Sequence, residues 1–517
     1  IVLACALTMS GLPVQSISTS TRKAYAAAKS ETEKQDVSQP ETKMGNVVLN
    51  GNDIAVNNVN GLTYKGFGML SGNSTSDLLM DYKAEQPKAY AELMQYLFGG
   101  NYPIMNHVKL EMGNDRNTST GPESCTKRTE KEKANVLRNP GWQLAADAKK
   151  INPKIKVSIL RWEAPVWAGT DEKIYQWYKE TILDAYEKYG YMVDYINPNI
   201  NEKWDVDSDV AFTKKFAKWI AAETKETIPD EKALALYHKI KLVVSDEAGT
   251  ASDSVVESMK SDSDFYNSVD VVGYHYSPWD DSNGGMKWLA QTKDKEVWNS
   301  EAQATFSNSA FRPSNNVKDP TTEGTGLGGT GSALEMANTF IKGFVQSRRS
   351  HVIYQPAIGS FYEGAQFSFK ELVGARDPWS GWIHYDAGLL MLAHISKFAV
   401  TGWENEDNTA GIWRAVPQAS KCTADGTNPV NGRNGGENYM TLASPAKDNF
   451  STMIVNDSEY PMEYKIQTKN MKLAEDQNLE IWETRAADDG AFNENYMKCI
   501  GTAKADDNGV YTVKVKP

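Results

Sequence analysis

Residues 192–205 read MVDYINPNINEKWD, and the way this stretch is read decides the fold. Met192 to Ile200 has the composition of a strand. Asn201 and Glu202 follow at its C-terminal end, and then Phe212, Phe216, Trp219 and Ile220 recur at helical spacing. A strand, a carboxylate at its mouth and an amphipathic helix make one unit of an α/β fold.

The unit recurs. Strands are predicted at LTYKGFGML (62–70), YPIMNHVKLEM (102–112), KIKVSIL (154–160), MVDYINPNI (192–200), KLVVSDE (241–247), VDVVGYHY (269–276), EVWNSE (296–301) and HVIYQPAI (351–358). Further helical stripes lie between them: Tyr90, Leu93, Met94 and Leu97; Ile174, Trp177, Tyr178, Ile182 and Ala185, stopped by Gly190; Leu334, Ala337, Ile341 and Phe344. Eight such units predict a (β/α)8 TIM barrel over residues 61–395. A doubly wound sheet is the rival, but GFGMLSGN (66–73) lacks its glycine fingerprint.

Past residue 396 the period changes from helical to alternating. Segments 437–444, 449–457, 462–468, 479–484 and 509–517 predict a β-sandwich over 396–517, and a truncated sandwich is one reading of the strand that runs to Pro517. NVVLNGNDIAV (46–56) is strand-like and is expected to join that sandwich, as an N-terminal strand region spanning 46–60. The apolar start IVLACALTMSGLPVQS, with Ala24-Tyr25-Ala26 after it, reads as the remnant of a secretory signal (1–26), and the polar 27–45 as a linker. Export is therefore expected. No segment predicts stable membrane insertion.

A net charge of −12 argues against nucleic acid, which needs a basic face. Of four cysteines, Cys5 lies in the signal region, and the remaining three form no CxxC pair. The six histidines show no metal spacing, so no cofactor or metal is expected. Gly324, Gly326 and Gly329 fit G-x-G-x-x-G, but no strand leads into them, and a loop is expected there.

In a barrel, strand C-terminal ends face the cup in which chemistry occurs. Glu202 follows strand four and Glu301 ends strand seven, so both are expected in one cup. Two facing carboxylates suit glycoside cleavage: one protonates the leaving oxygen and the other attacks the anomeric carbon or activates water. Asn201 can bond a sugar hydroxyl, Trp162 can stack on a sugar face, and His275 and Tyr276, beside Trp279, can tune and hold the carboxylates. Glu111, Glu163, Asp246 and Glu247 are competing carboxylates expected in ion pairs, with Asp115 and Glu123 as site lining or scaffold.

These residues resemble glycoside hydrolase family 59, the galactocerebrosidase type, over roughly 61–515. The resemblance is carried by GFGMLSGNSTSDLL, VKLEMGNDRNTSTGPES (108–124), LRWEAPVWAG (160–169), VDYINPNINE, VVGYHY, VWNSE and, most specifically, DPWSGWIHYD (377–386). It implies Glu202 as acid/base and Glu301 as nucleophile, with galactose contacts from Thr118, Trp162 and Asn201. It also implies a barrel plus sandwich, retention of configuration, and β-galactosides such as galactosylceramide. Ile200 stands where the family carries Trp before Asn-Glu, the approach is one residue longer through Pro198, and Tyr354 takes the place of a strand-eight Trp. The expected activity is that of a secreted retaining exo-β-galactosidase on a carbohydrate or glycolipid. Its rivals are a family 30-like β-glycosidase acting on glucosides, xylans or galactans, and a non-catalytic carbohydrate-binding barrel.

Overall fold

The computed structural model describes residues 40–72, 75–116, 123–248, 251–275, 285–302, 333–355, 357–359, 372–375, 377–385, 387–400, 413–422, 436–474, 477–485 and 495–517. Every element below belongs to one unit, Thr42–Pro517. After β1 (Lys43–Asn50) come eight parallel strands: β2 (Gly66–Ser71), β3 (His107–Glu111), β4 (Lys156–Arg161), β5 (Tyr195–Ile200), β6 (Lys241–Ala248), β7 (Val271–His275), β8 (Glu296–Ala302) and β9 (Arg349–Tyr354). They pair in chain order, and β9 returns to β2 with Gly66 opposite His351, which closes the barrel.

The helices form where the apolar stripes lie. Helix Asp171–Tyr189 begins at Thr170, whose side chain accepts from the Lys173 amide, and carries Asp171 and Glu172 in its first turn. It buries Trp177, Tyr178, Ile182 and Ala185, and ends at Gly190, whose φ of 78° is left-handed. Helices Pro87–Phe98, Val206–Ala222 and Ala333–Val345 bury the other stripes against the same strands.

Strand side chains alternate between the two faces of the wall. Val108, Leu110, Val157, Ile196, Val352 and Tyr354 pack with the helices, while Tyr195, Val243, Val271, Trp298 and Ile353 pack on one another inside. Beside that plug, His351 Nδ1 donates to the Gly66 carbonyl at 2.7 Å, and its Nε2 accepts from His107 Nδ1 at 2.9 Å. Ser158 Oγ donates to His107 Nε2 at 2.8 Å. Burial lowers the proton affinity of both rings, His351 to about 4, so the row is neutral. The interior is thus filled on one side and approachable from the strand C-terminal ends.

The run expected as one strand over 351–358 is two. β9 ends at Tyr354, and Ile358–Gly359 (β10) pairs with Val373–Ala375 (β11), which pairs with Ile383–Tyr385 (β12). Pro356, between β9 and β10, has no N–H for a ladder. The C-terminal part is antiparallel: β13 (Arg414–Ala415), β14 (Tyr439–Ala443) and β15 (Phe450–Ile454) form one sheet. β16 (Met462–Lys469) and β19 (Val510–Val515) form another with β1, and β17 (Leu479–Arg485) pairs with β18 (Asn495–Ala503). Val47 on β1 packs with Tyr439, Tyr464, Ile466, Ala503 and Val513 from all three sheets, so the N-terminal strand does join the sandwich. Among the described residues, no helix is long and apolar enough to cross a membrane.

Candidate active site

Three of the site-bearing strands carry extra residues at their C-terminal ends. On β5, Ile196 faces Ile159 but Ile200 faces Arg161, so four steps of β5 answer two of β4. Asn197-Pro198 absorbs the difference: Arg161 Nε donates to the Pro198 carbonyl at 3.0 Å, and the Asn199 amide donates to Asn197 Oδ1 at 2.9 Å. On β6, Ser245 faces Gly273 and Glu247 faces Tyr274, leaving Asp246 as the extra residue. On β8, Asn299 faces Tyr274 and Glu301 faces His275, leaving Ser300 between. Bulges re-aim side chains and bend the strand. Here they gather Glu202, Asp246, His275 and Glu301 around one point.

His275, fully buried, is the centre. Its Nδ1 lies 3.0 Å from Glu202 Oε1 and 3.6 Å from Glu301 Oε2, and its Nε2 lies 3.5 Å from Asp246 Oδ1. One oxygen of each glutamate and a His275 ring nitrogen all fall within 4.8 Å of one another. Among the described residues this is the one group of three His, Cys, Asp or Glu side chains placed closely enough to hold a cation. Those three atoms are also the ones that acid–base chemistry would use. The Glu202 side chain is 29% exposed and Glu301 only 2%, so one carboxylate faces the opening and the other the wall. Glu202 has a φ of 54°, and its amide donates to the Asp246 carbonyl at 3.2 Å.

Charge decides the protonation states. Burial alone would neutralise His275, but Glu301, Asp246 and Glu202 outweigh it and raise the imidazole to about 9. Burial likewise works against Asp246, yet Lys109 and His275 hold its carboxyl well below the usual range. Glu247 goes the other way: burial pushes it up to about 7, although the Trp204 amide and His275 favour its anion. His275 is therefore held as an imidazolium at neutral pH, beside the Asp246 carboxylate.

The structure brings together Glu202, His275 and Glu301, and Asn201 directly precedes Glu202 in the chain. The Asn201 side chain is buried with neither amide atom bonded to any described residue, although its backbone amide donates to the Arg161 carbonyl at 2.9 Å. Trp162 is half-buried just after β4. Tyr354 is not at the cup. Strand alternation turns its ring outward to pack with Phe67, 6.0 Å away, in the layer beneath the helices. Thr118, Tyr276 and Trp279 lie outside the described residues, as do Gly324, Gly326 and Gly329. Glu163 pairs with Arg116, and Asp115 with Arg128 at 2.7 Å, both as scaffold. Sequence reading missed Lys109 and Gly273. The one available signal for Lys109 was a lysine at an inward position of a strand, between Val108 and Leu110.

The sequence profile of glycosyl hydrolase family 59 matches residues 64–397, the barrel with its helices. The chain belongs to glycosyl hydrolase family 59. Among curated proteins it is similar to the galactocerebrosidase of Danio rerio, 26% identical over 357 residues, covering 66% of this chain and 46% of that protein. The Homo sapiens galactocerebrosidase is 27% identical over 350 residues, covering 66% and 44%. The chain thus spans less than half the length of these relatives. Among solved structures it resembles SrfJ from Salmonella typhimurium (TM-score 0.58, 13% identity, 84% of this chain and 90% of that one). It also resembles an endo-β1,6-glucanase (TM-score 0.55, 15% identity, 83% and 89%). At such identities the likeness speaks for the barrel-and-sandwich fold alone.

Proposed function

We propose that this family 59 chain is a retaining exo-β-galactosidase that works by double displacement, with Glu301 as nucleophile and Glu202 as acid/base. The observation that carries the reading is the carboxylate spacing, with one oxygen of each glutamate within 4.8 Å of the other. Retaining pairs stand about 5–5.5 Å apart, whereas inverting pairs stand about 6.5–9.5 Å apart to admit a water. The buried Glu301 attacks C1 from the wall side, and the more open Glu202 gives its proton to the leaving oxygen. Water then enters on the Glu202 side, loses a proton to it, and releases the sugar from Glu301. The His275 cation between them offsets the repulsion of two acids at such range.

Asn201 supports a sugar at this point. A buried amide left without a partner costs about 1–3 kcal/mol, and Asn201, whose amide bonds to no described residue, would have that cost offset by a hydroxyl beside the anomeric carbon. Galactose is proposed because the relatives that align over two thirds of the chain are galactocerebrosidases. Export is proposed from the apolar run of residues 1–16. The test is turnover of an aryl β-galactoside beside the glucoside, xyloside and fucoside, with the first-formed anomer read by NMR. The β-anomer of galactose is expected first. A first-formed α-anomer would remove retention, faster turnover of another sugar would remove galactose, and binding without turnover at any pH would favour the non-catalytic barrel.

A further inference from the structure

Beneath the paired carboxylates lies a buried ion pair that the reaction does not touch. Lys109 Nζ, on β3, is 3.1 Å from Asp246 Oδ2, with side chains 3% and 1% exposed. We propose that Lys109 and Asp246 are positioning residues: one ion pair that fixes the backbones under Glu202 and Glu301 and sets the place of His275 between them. The inference rests on the glycosidase reading above.

The bonds radiate from the pair to each strand that supplies the site. Lys109 Nζ also donates to the carbonyl of Ser300, the residue before Glu301, at 3.2 Å. Asn197 Nδ2, on the strand that ends at Glu202, donates to Asp246 Oδ2 at 2.9 Å. The Asp246 carbonyl accepts from the Glu202 amide at 3.2 Å. Its remaining carboxylate oxygen faces His275 Nε2. β3, β5, β6, β7 and β8 thus meet at two side chains.

Two features show that the fold gives way to make this arrangement. Ser245 and Asp246 have φ of 75° and 49°, left-handed values that non-glycine residues hold only where their surroundings over-determine them. At Gly273 an added Cβ would lie 2.3 Å from Asp246 Oδ1 and 2.4 Å from Ser300 Oγ, so only glycine leaves room. Net stability does not account for the pair, because replacing a buried ion pair by well-packed apolar groups is often neutral or stabilising. Its effect is on placement, and a misplacement of about 1 Å caused far from the chemistry can lower a rate about 10²-fold.

The test uses K109M, D246N, the double variant and K109R in the full chain. Readouts are kcat and KM on an aryl β-galactoside, the pH profile of kcat/KM, the NMR titration of the His275 ring, and thermal unfolding. Other titratable groups that feel the charge of the pair are His107 on β3, Tyr178 on helix Asp171–Tyr189, Glu247 on β6 and His275 on β7, with Glu202 after β5 and Glu301 on β8 beside His275. All of them remain in each variant. Losing the lysine cation makes every neighbouring group easier to protonate, so the K109M profile and the His275 titration move to higher pH. Losing the aspartate anion moves both to lower pH in D246N. Each single variant loses about 10²-fold in kcat with KM changing far less. The double variant loses less than the product of the two and titrates near the wild type. K109R keeps the charge and leaves the profile in place, which covers a K109M that fails to fold. Unchanged kcat with unmoved profiles would overturn the proposal, as would losses that follow the unfolding temperature alone or a K109R profile displaced like that of K109M. If the wild type turned over no glycoside, the glycosidase reading would fall. The His275 titration would then still decide for or against the network, by opposite displacements or none.

Discussion

Glu301 and Glu202 share a cup but not an environment, and the difference supports the roles proposed for them. Glu301 sits in the wall with its side chain 2% exposed, suited to a nucleophile that must be desolvated and fixed in direction. Glu202 is 29% exposed, as the proposed acid/base needs if a leaving group is to depart and water to arrive on its side. Glu301→Gln is expected to lower kcat by more than about 10⁴-fold with an unchanged unfolding temperature. Near-wild-type turnover would remove it as nucleophile. Glu202→Ala is expected to lose about 10²–10⁴-fold on a substrate with a poor leaving group and far less on an activated aryl glycoside. Added azide should restore rate by occupying the vacated space; equal losses on both substrates without such rescue would count against the acid/base role. Both residues were legible in the sequence because each is a carboxylate at the end of an apolar run. Tyr354 misled for a comparable reason: its distance along the strand suits the mouth, but its parity turns it outward.

At the scale of elements, what reached the sequence was periodicity, and what did not was register. Helices with a clean apolar stripe, such as Asp171–Tyr189, were readable from Trp177, Tyr178, Ile182 and Ala185. Ala387–Val400 was not, since AGLLMLAHISKFAV is apolar nearly all round and packs between helix Ala333–Val345, β2 and the strands β15 and β18. Nor were the bulges at Asp246 and Ser300, which show only as rungs paired out of step. The longer approach through Pro198 was visible as one added residue, and its form is the widened rung between Ile196 and Ile200. Gly190 offers a test of element-level reasoning away from the site. Its φ of 78° ends helix Asp171–Tyr189, and an added Cβ there would meet nothing within 4 Å. Gly190→Ala therefore carries only the left-handed backbone penalty, about 1–2 kcal/mol of stability in chemical denaturation, with kcat unchanged. A loss well above this would mean that the helix end has packing partners of its own.

At the scale of the molecule, the barrel was legible because eight strand–helix units repeat, and the sandwich because the period switches from helical to alternating. β18 escaped because its pairing with β17 is broken by register shifts, which blur alternation in NYMKCIGTA. The distribution of protons between core and cup was illegible altogether, yet it sets how stability responds to pH. His107 and His351 are buried and His394 half-buried, all three neutral, the last two pushed by burial to about 4 from an ordinary 6.5. Their contribution is present above 6.5 and lost as pH falls through about 4. His275 is opposite in sign: raised to about 9 against its burial by Glu301, Asp246 and Glu202, it stabilises fully below 6.5 and is lost as pH rises through 9. Glu247, raised by burial from 4.5 to about 7, offsets part of the acid-side gain. Three histidines against the one carboxyl raised as far as about 7 leave the balance rising toward 6.5. The unfolding temperature is therefore expected to peak near pH ~6.5 and to fall on both sides. In His275→Asn the alkaline decline between 6.5 and 9 should flatten while the acid decline persists. A wild-type curve that is level from 6.5 to 9 and superimposes on that of the variant would show that His275 is not held as a cation by the carboxylates around it.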